Sequence, residues 1–127
     1  MRAIVLTSAA LLALTNFSFG AVLSTEAEIR QAIVGNTISG VQDGKSYTEY
    51  YQPDGYIHGL ETEGPYVGEW RIASQNVCVR YFDDDNKNGA IGAWECMGVD
   101  VTSSLFAWIK DGQRYEAKLV PGNPNKL

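Results

Sequence analysis

From Gly35 onward the chain is broken by turn signals at short intervals, and that spacing limits it to short extended segments. The signals are Gln42-Asp43-Gly44, Pro53-Asp54-Gly55, Glu63-Gly64-Pro65, Ser74-Gln75-Asn76 and Lys110-Asp111-Gly112. Between them lie runs rich in Tyr, Trp, Val, Ile and Thr, at 36–41, 46–52, 56–61, 66–73, 76–82, 94–101, 104–109 and 114–120. Eight such runs joined by tight turns predict a mainly β protein, an antiparallel meander that closes as a small barrel or folds into a sandwich, since either arrangement hides its edges. An eight-stranded barrel has an interior either filled by side chains or just wide enough for one small ligand.

Ahead of the meander, Ser24 or Thr25 followed by EAEIRQAIV reads as one short N-terminal helix. Thr25 and Glu28 have capping-box spacing, and Ile29, Ala32 and Ile33 fall on one face. Gly35 ends the helix. About ten residues of helix are not stable alone, so the apolar face must dock on the sheet.

Alternation assigns the strand faces. Tyr66, Gly68, Trp70 and Ile72 share one face, as do Val77, Val79 and Tyr81, and again Met97, Val99 and Val101. These apolar stripes are the expected interior. Tyr47, Tyr50 and Tyr51 with Tyr56 form an aromatic cluster around the Pro53-Asp54-Gly55 turn, read as core or cross-strand pairs in preference to a binding platform. Pro121 and Pro124 end the last strand and leave an irregular tail.

The first twenty residues stand apart. Met1, Arg2 and Ala3 precede an apolar run from Ile4 to Phe19, and Ser18 and Gly20 give the small-x-small pattern of a signal-peptidase site. Residues 1–20 are therefore expected to be a signal peptide cleaved after Gly20, with 21–127 a single β-barrel-like domain that is periplasmic or secreted. An uncleaved anchor is the competing reading, but the run is too short and too polar near its end to span a bilayer. Loss of Arg2 from the ten Lys and Arg leaves nine against fifteen Asp and Glu, a net charge of −6. That surface repels phosphate backbones, so nucleic acid is not an expected partner.

Cys78 and Cys96 are the only cysteines. In an exported chain they predict one disulfide, worth about 3 kcal/mol for a loop of this length; two free thiols are the alternative. If they face each other in an antiparallel ladder, Val79 lies beside Glu95 and Arg80 beside Trp94, which brings the Arg80 cation over the indole ring.

Between the cysteines, DDNKNGAIGAWE matches the EF-hand calcium pattern. Asp84, Asn86 and Asn88 take loop positions 1, 3 and 5, Gly89 position 6, Ala90 the carbonyl at 7, Ile91 position 8 and Glu95 position 12. A hard cation needs six or more converging oxygens, which alternate residues of a tight loop can supply. The flanks are β-like, however, and in a paired hairpin Glu95 lies about 14 to 17 Å along the strand from the level of Asp84. Paired ladder and full calcium loop exclude each other unless pairing stops at the cysteines. A calcium-binding module is the alternative function carried forward, with Ca2+ the only cofactor considered.

No catalytic constellation is evident. His58 is the only histidine and has no Ser or Cys nucleophile spaced to it. Glu61 and Glu63 fall on one strand face, without the enclosed cleft that paired-carboxylate hydrolysis requires.

Taken in order, Tyr50-Tyr51-Gln52-Pro53-Asp54-Gly55, Gly68-Glu69-Trp70-Arg71-Ile72, Val77-Cys78, Cys96 and Gly122-Asn123-Pro124 resemble a group of small exported alphaproteobacterial proteins of unknown function. In that group a PDG turn, a G-x-W-R-I strand, two cysteines in adjacent strands and a Gly-Asn-Pro close recur. The resemblance implies a lipocalin-like β fold outside the cytoplasm and supplies no catalytic residues. The long acidic hairpin tip departs from the group. The expectation is a non-enzymatic exported barrel that binds a small molecule or a protein partner, a hydrolase inhibitor being one subclass by fold analogy, with no stable membrane insertion after cleavage.

Overall fold

The computed structural model describes residues 24–83, 89–102 and 105–127; the expected signal peptide and cleavage site lie outside them. One helix, α1 (Glu26–Ile33), precedes eight strands: β1 (Thr37–Gln42), β2 (Lys45–Tyr51), β3 (Tyr56–Glu61), β4 (Gly64–Ala73), β5 (Asn76–Tyr81), β6 (Glu95–Thr102), β7 (Leu105–Lys110) and β8 (Gln113–Val120). Each strand pairs antiparallel with the next, and β1 pairs with β8 from Thr37↔Val120 to Gly40↔Ala117. The sheet is a closed barrel. Each strand thus has a paired neighbour on both sides, which removes the open edges of a flat sheet.

Two of the expected turns are two-residue loops with both residues at positive φ, Asp43 at 51° with Gly44 at 75°, and Asp111 at 50° with Gly112 at 74°. This is the type I′ geometry whose twist matches antiparallel strands. The β3–β4 turn sits one residue earlier than its sequence suggested. Gly64, at φ 128°, opens β4, so Thr62 and Glu63 form the turn and Pro65 is a strand residue opposite Leu60. The strand order then puts the 43–44, 62–63 and 111–112 turns, the end of β5 and the start of β6 at one end of the barrel and α1 at the other.

Helix α1 closes its end as a plug. The Thr25 hydroxyl accepts from the Glu28 N–H at 3.3 Å, and the Glu28 carboxylate accepts from the Thr25 N–H at 2.9 Å, completing the capping box. Ile29 and Ile33, both fully buried, join Ile38, Ile57, Trp70, Val77, Val99 and Phe106 in one core. Ser24 covers the stretch of β6 that runs past its last pairing with β5: its N–H donates to the Val99 carbonyl at 2.8 Å, and its hydroxyl accepts from the Val101 N–H at 2.9 Å. At the helix C-terminus Asn36 donates to the Ala32 carbonyl and accepts from the Gly122 N–H, tying the irregular C-terminal tail to the plug.

Cys78 and Cys96 are directly opposed on the outer face and form the disulfide. The ladder runs one pair past them, to Val79↔Glu95, and the strands meet again only at a Phe82↔Ile91 bridge. Between those points three residues of one strand face two of the other, a bulge that breaks the expected Arg80–Trp94 pair. The contact itself survives. Arg80 lies 4.3 Å from the Trp94 ring centroid and Arg71 lies at the same distance, while Arg80 is also held by Glu69 directly across the β4–β5 ladder.

A Cys78→Ala/Cys96→Ala double variant is expected to keep the β-sheet circular dichroism signature while losing about 3 kcal/mol of unfolding free energy in urea. An unchanged urea midpoint would contradict the role assigned to the staple.

Candidate functional site

Among the described residues no helix covers the end of the barrel opposite α1, and the floor of that end is built from β2. Tyr47, Glu49 and Tyr51 alternate inward along this strand, with Tyr51 deepest and fully buried. Glu49 is a carboxylate at 6% exposure inside a barrel. Such a group is tolerated only with partners. It has three: the Tyr51 hydroxyl donates to Oε2 at 2.6 Å, and the hydroxyls of Tyr66 and Tyr81 donate to Oε1, each at 2.8 Å.

Glycines on neighbouring strands make this convergence possible. In the ladder Glu49 faces Gly59, which in turn faces Tyr66, and a Cβ at Gly59 would stand 2.2 Å from the Tyr66 ring. Lacking one, Gly59 lets Tyr66 lean across β3 to reach Glu49. Tyr81 likewise lies over its ladder partner Gly68, where a Cβ would come within 2.7 Å of the ring, and Tyr47 lies over Gly40. The rings of Tyr66 and Tyr81 meet edge to face at 5.6 Å. On the far wall the Trp108 indole N–H donates to the Tyr47 hydroxyl at 3.2 Å.

Burial sets the protonation chemistry. It pushes the Glu49 carboxyl above its ordinary range; the hydrogen bonds from Tyr51, Tyr81 and Tyr66 oppose that rise, and the nearby Glu61 charge adds to it. Burial, reinforced by the Glu49 charge, raises the Tyr51, Tyr66 and Tyr81 hydroxyls well above the usual phenol range. The three phenols therefore stay protonated and act as fixed donors. Among the described residues no Lys or Arg forms an ion pair with Glu49.

Above the carboxylate a cavity of about 290 Å³ is walled by Tyr47, Tyr51, Tyr81, Met97 and Trp108, with Val41, Gln42, Asp43, Lys110, Asp111 and Tyr115 around its opening. A second lobe of about 460 Å³ shares Tyr47, Glu49 and Tyr81 and extends toward Glu61, Tyr66 and Phe82. The two cations that the described residues place at this opening are already engaged, Lys45 by Glu63 and Lys110 by Glu95.

Of the residues singled out from sequence, Cys78 and Cys96 are joined as expected. Asp84, Asn86 and Asn88 lie outside the described residues. The Ala90 carbonyl accepts from the Asp83 N–H at 2.8 Å, and Glu95 is the first residue of β6, opposite Val79 and ion-paired with Lys110. Among the described residues no group of three or more His, Cys, Asp or Glu is placed to hold a metal. His58 points outward from β3, between Tyr50 and Val67 in the ladder. Glu61 and Glu63 do not share a strand face, because the turn falls between β3 and Gly64; Glu61 ends β3 and Glu63 pairs with Lys45 at 2.6 Å. The aromatic cluster also divides, Tyr47 and Tyr51 turning inward and Tyr50 outward.

Sequence reasoning missed Glu49. Its signal is present in Tyr47-x-Glu49-x-Tyr51, an acidic residue in register with two inward aromatics, combined with glycines at inward positions of β1, β3 and β4. Comparison with known protein families, characterised proteins and solved structures finds no match for this chain.

A raised folded pKa means that the folded state holds the Glu49 proton more tightly than the unfolded chain does. The stability this confers is fully present below the ordinary value of 4.5 and is lost as the pH rises through the folded value. Glu49→Gln removes the dependence. The unfolding free energy of wild type minus that of Glu49→Gln is expected to fall with rising pH, by up to about 1.4 kcal/mol per pH unit within that window. Urea unfolding of both proteins from about pH 4 to about pH 8 checks this, and a difference that rises with pH contradicts it.

Proposed function

We propose that this protein is an exported, non-catalytic β-barrel that holds a small molecule in its open mouth. The observation that carries the reading is a buried carboxylate, fixed by three tyrosine hydroxyls, at the floor of an aromatic-walled cavity. Small-molecule sites are concave and mostly apolar, with a few placed polar groups, and barrel mouths are among their usual locations. Plugged by α1 at one end and open at the other, this barrel has the corresponding shape.

Export is supported by the apolar run before Gly20, by the Cys78–Cys96 disulfide and by the likeness to small exported proteins. No helix among the described residues is long and apolar enough to cross a membrane. The non-catalytic part of the proposal rests on the tyrosines. Burial keeps their hydroxyls protonated, which suits them to orient a ligand and not to exchange protons with it.

A fragment library followed by thermal unfolding and by Trp108 fluorescence tests the reading. A ligand at about 100 times its Kd is expected to add about 2.7 kcal/mol of stability. Filling the cavity with Met97→Trp is expected to abolish that gain without unfolding the barrel. Absence of any stabilising ligand at millimolar concentration, or retention of the gain in Met97→Trp, would overturn the proposal.

A further inference from the structure

The mouth has an imbalance of charge that its described side chains do not correct. Glu49 sits at 6% exposure, yet among the described residues every hydrogen-bond partner of its carboxylate is a neutral hydroxyl, and the neighbouring charge that acts on it is another carboxylate, Glu61. Taking an anion out of water without a cation beside it is costly, and hydroxyl donors offset only part of that cost. The two lysines at the opening are committed elsewhere, Lys110 to Glu95 and Lys45 to Glu63. Asp43 and Asp111, both carried on tight turns, add negative charge at the entrance. Whatever enters meets a negative potential at the rim and an uncompensated anion at the floor.

The hydrogen-bond count points the same way. A carboxylate offers about four lone-pair positions. Among the described residues Oε1 receives both Tyr66 and Tyr81 and Oε2 receives Tyr51 alone, which leaves one acceptor position on Oε2. The cavity above it is walled by the rings of Tyr47, Tyr81 and Trp108 with the thioether of Met97. Aromatic faces are electron-rich and attract a cation lying over them, most strongly where water is excluded. An apolar stem fits the same walls. At roughly 30 Å³ per water-sized group, the 290 Å³ lobe has room for about ten non-hydrogen atoms.

We propose that the barrel mouth is a site for a small organic ammonium ion, with a primary amine donating to Oε2 of Glu49 and its carbon stem lying between Tyr47, Met97 and Trp108. This rests on the reading of the mouth as a small-molecule site and names the chemical class of its occupant. Glu49 supplies the counter-charge, the three tyrosines hold that carboxylate in place, and the acidic rim draws cations inward.

Three probes of one length and different charge test the assignment on the full mature chain: hexylammonium, 1-hexanol and hexanoate, titrated while Trp108 fluorescence and thermal unfolding are followed. Hexylammonium is expected to bind about tenfold or more tighter than 1-hexanol, and hexanoate not to bind. In Glu49→Gln the preference of amine over alcohol is expected to collapse, while 1-hexanol binding is retained. Glu61→Gln, which leaves the tyrosine cluster intact, is expected to weaken the amine by a smaller factor. Alcohol or carboxylate binding as tightly as the amine in the wild type overturns the ammonium assignment and leaves the mouth standing as a small-molecule site. Failure of all three also overturns it, and the fragment library then decides separately whether the mouth binds anything. Should Glu49→Gln not fold, the wild-type charge series decides alone.

Discussion

A carboxylate inside a barrel of about a hundred residues has to be surrounded by donors, and Glu49 is surrounded by tyrosines from three strands. Hydrogen bonds to a charged acceptor each contribute about 1.5 to 3 kcal/mol, and leaving such an acceptor bare costs as much or more. The positions of Tyr51, Tyr66 and Tyr81 are thereby bound to one another through a single pair of oxygens. With them are fixed the mutual positions of β2, β4 and β5 at the end opposite α1, where no helix among the described residues holds the strands together.

The inward glycines are the backbone counterpart of that demand. A ring can cross a neighbouring strand only where the strand carries no side chain, and Gly40, Gly59 and Gly68 provide those crossings for Tyr47, Tyr66 and Tyr81. The other half of the interior is solved by ordinary packing: Ile38, Ile57, Val77, Val99 and Phe106 fill the space under α1 with Ile29 and Ile33. The barrel is thus divided along its axis into an apolar floor that supplies stability and a polar mouth that costs some. A costly polar cluster kept beside a cavity is the kind of local departure from stability that marks a functional site, and the binding proposal rests on it for that reason.

The two regions differ in how far the sequence reveals them. Strands, turns and the helix cap are local chemistry, so Asp43-Gly44, Asp111-Gly112 and the Thr25–Glu28 box could be read directly, and the cysteine spacing set the β5–β6 register correctly through Val79↔Glu95. The bulge beyond that pair was not legible, since an extra residue changes no periodicity that a short segment can display. The dense Asp and Asn run of the hairpin tip is conspicuous in the sequence because its acidic residues are adjacent. Glu49 is a single acid in KSYTEYY, and two of its three partners lie 17 and 32 residues away. Only barrel closure and the glycine crossings bring them together, and these are properties of the fold.

The central claim is that three tyrosine hydroxyls are locked onto Glu49, and proton NMR of the folded protein tests it most directly. Hydroxyl protons of exposed tyrosines exchange with water too fast to be seen, whereas donors held on a buried carboxylate exchange slowly. Three protected hydroxyl resonances, assigned to Tyr51, Tyr66 and Tyr81 and all displaced in Glu49→Gln, are predicted. Fast exchange of these protons, or protection unaffected by Glu49→Gln, would contradict the account.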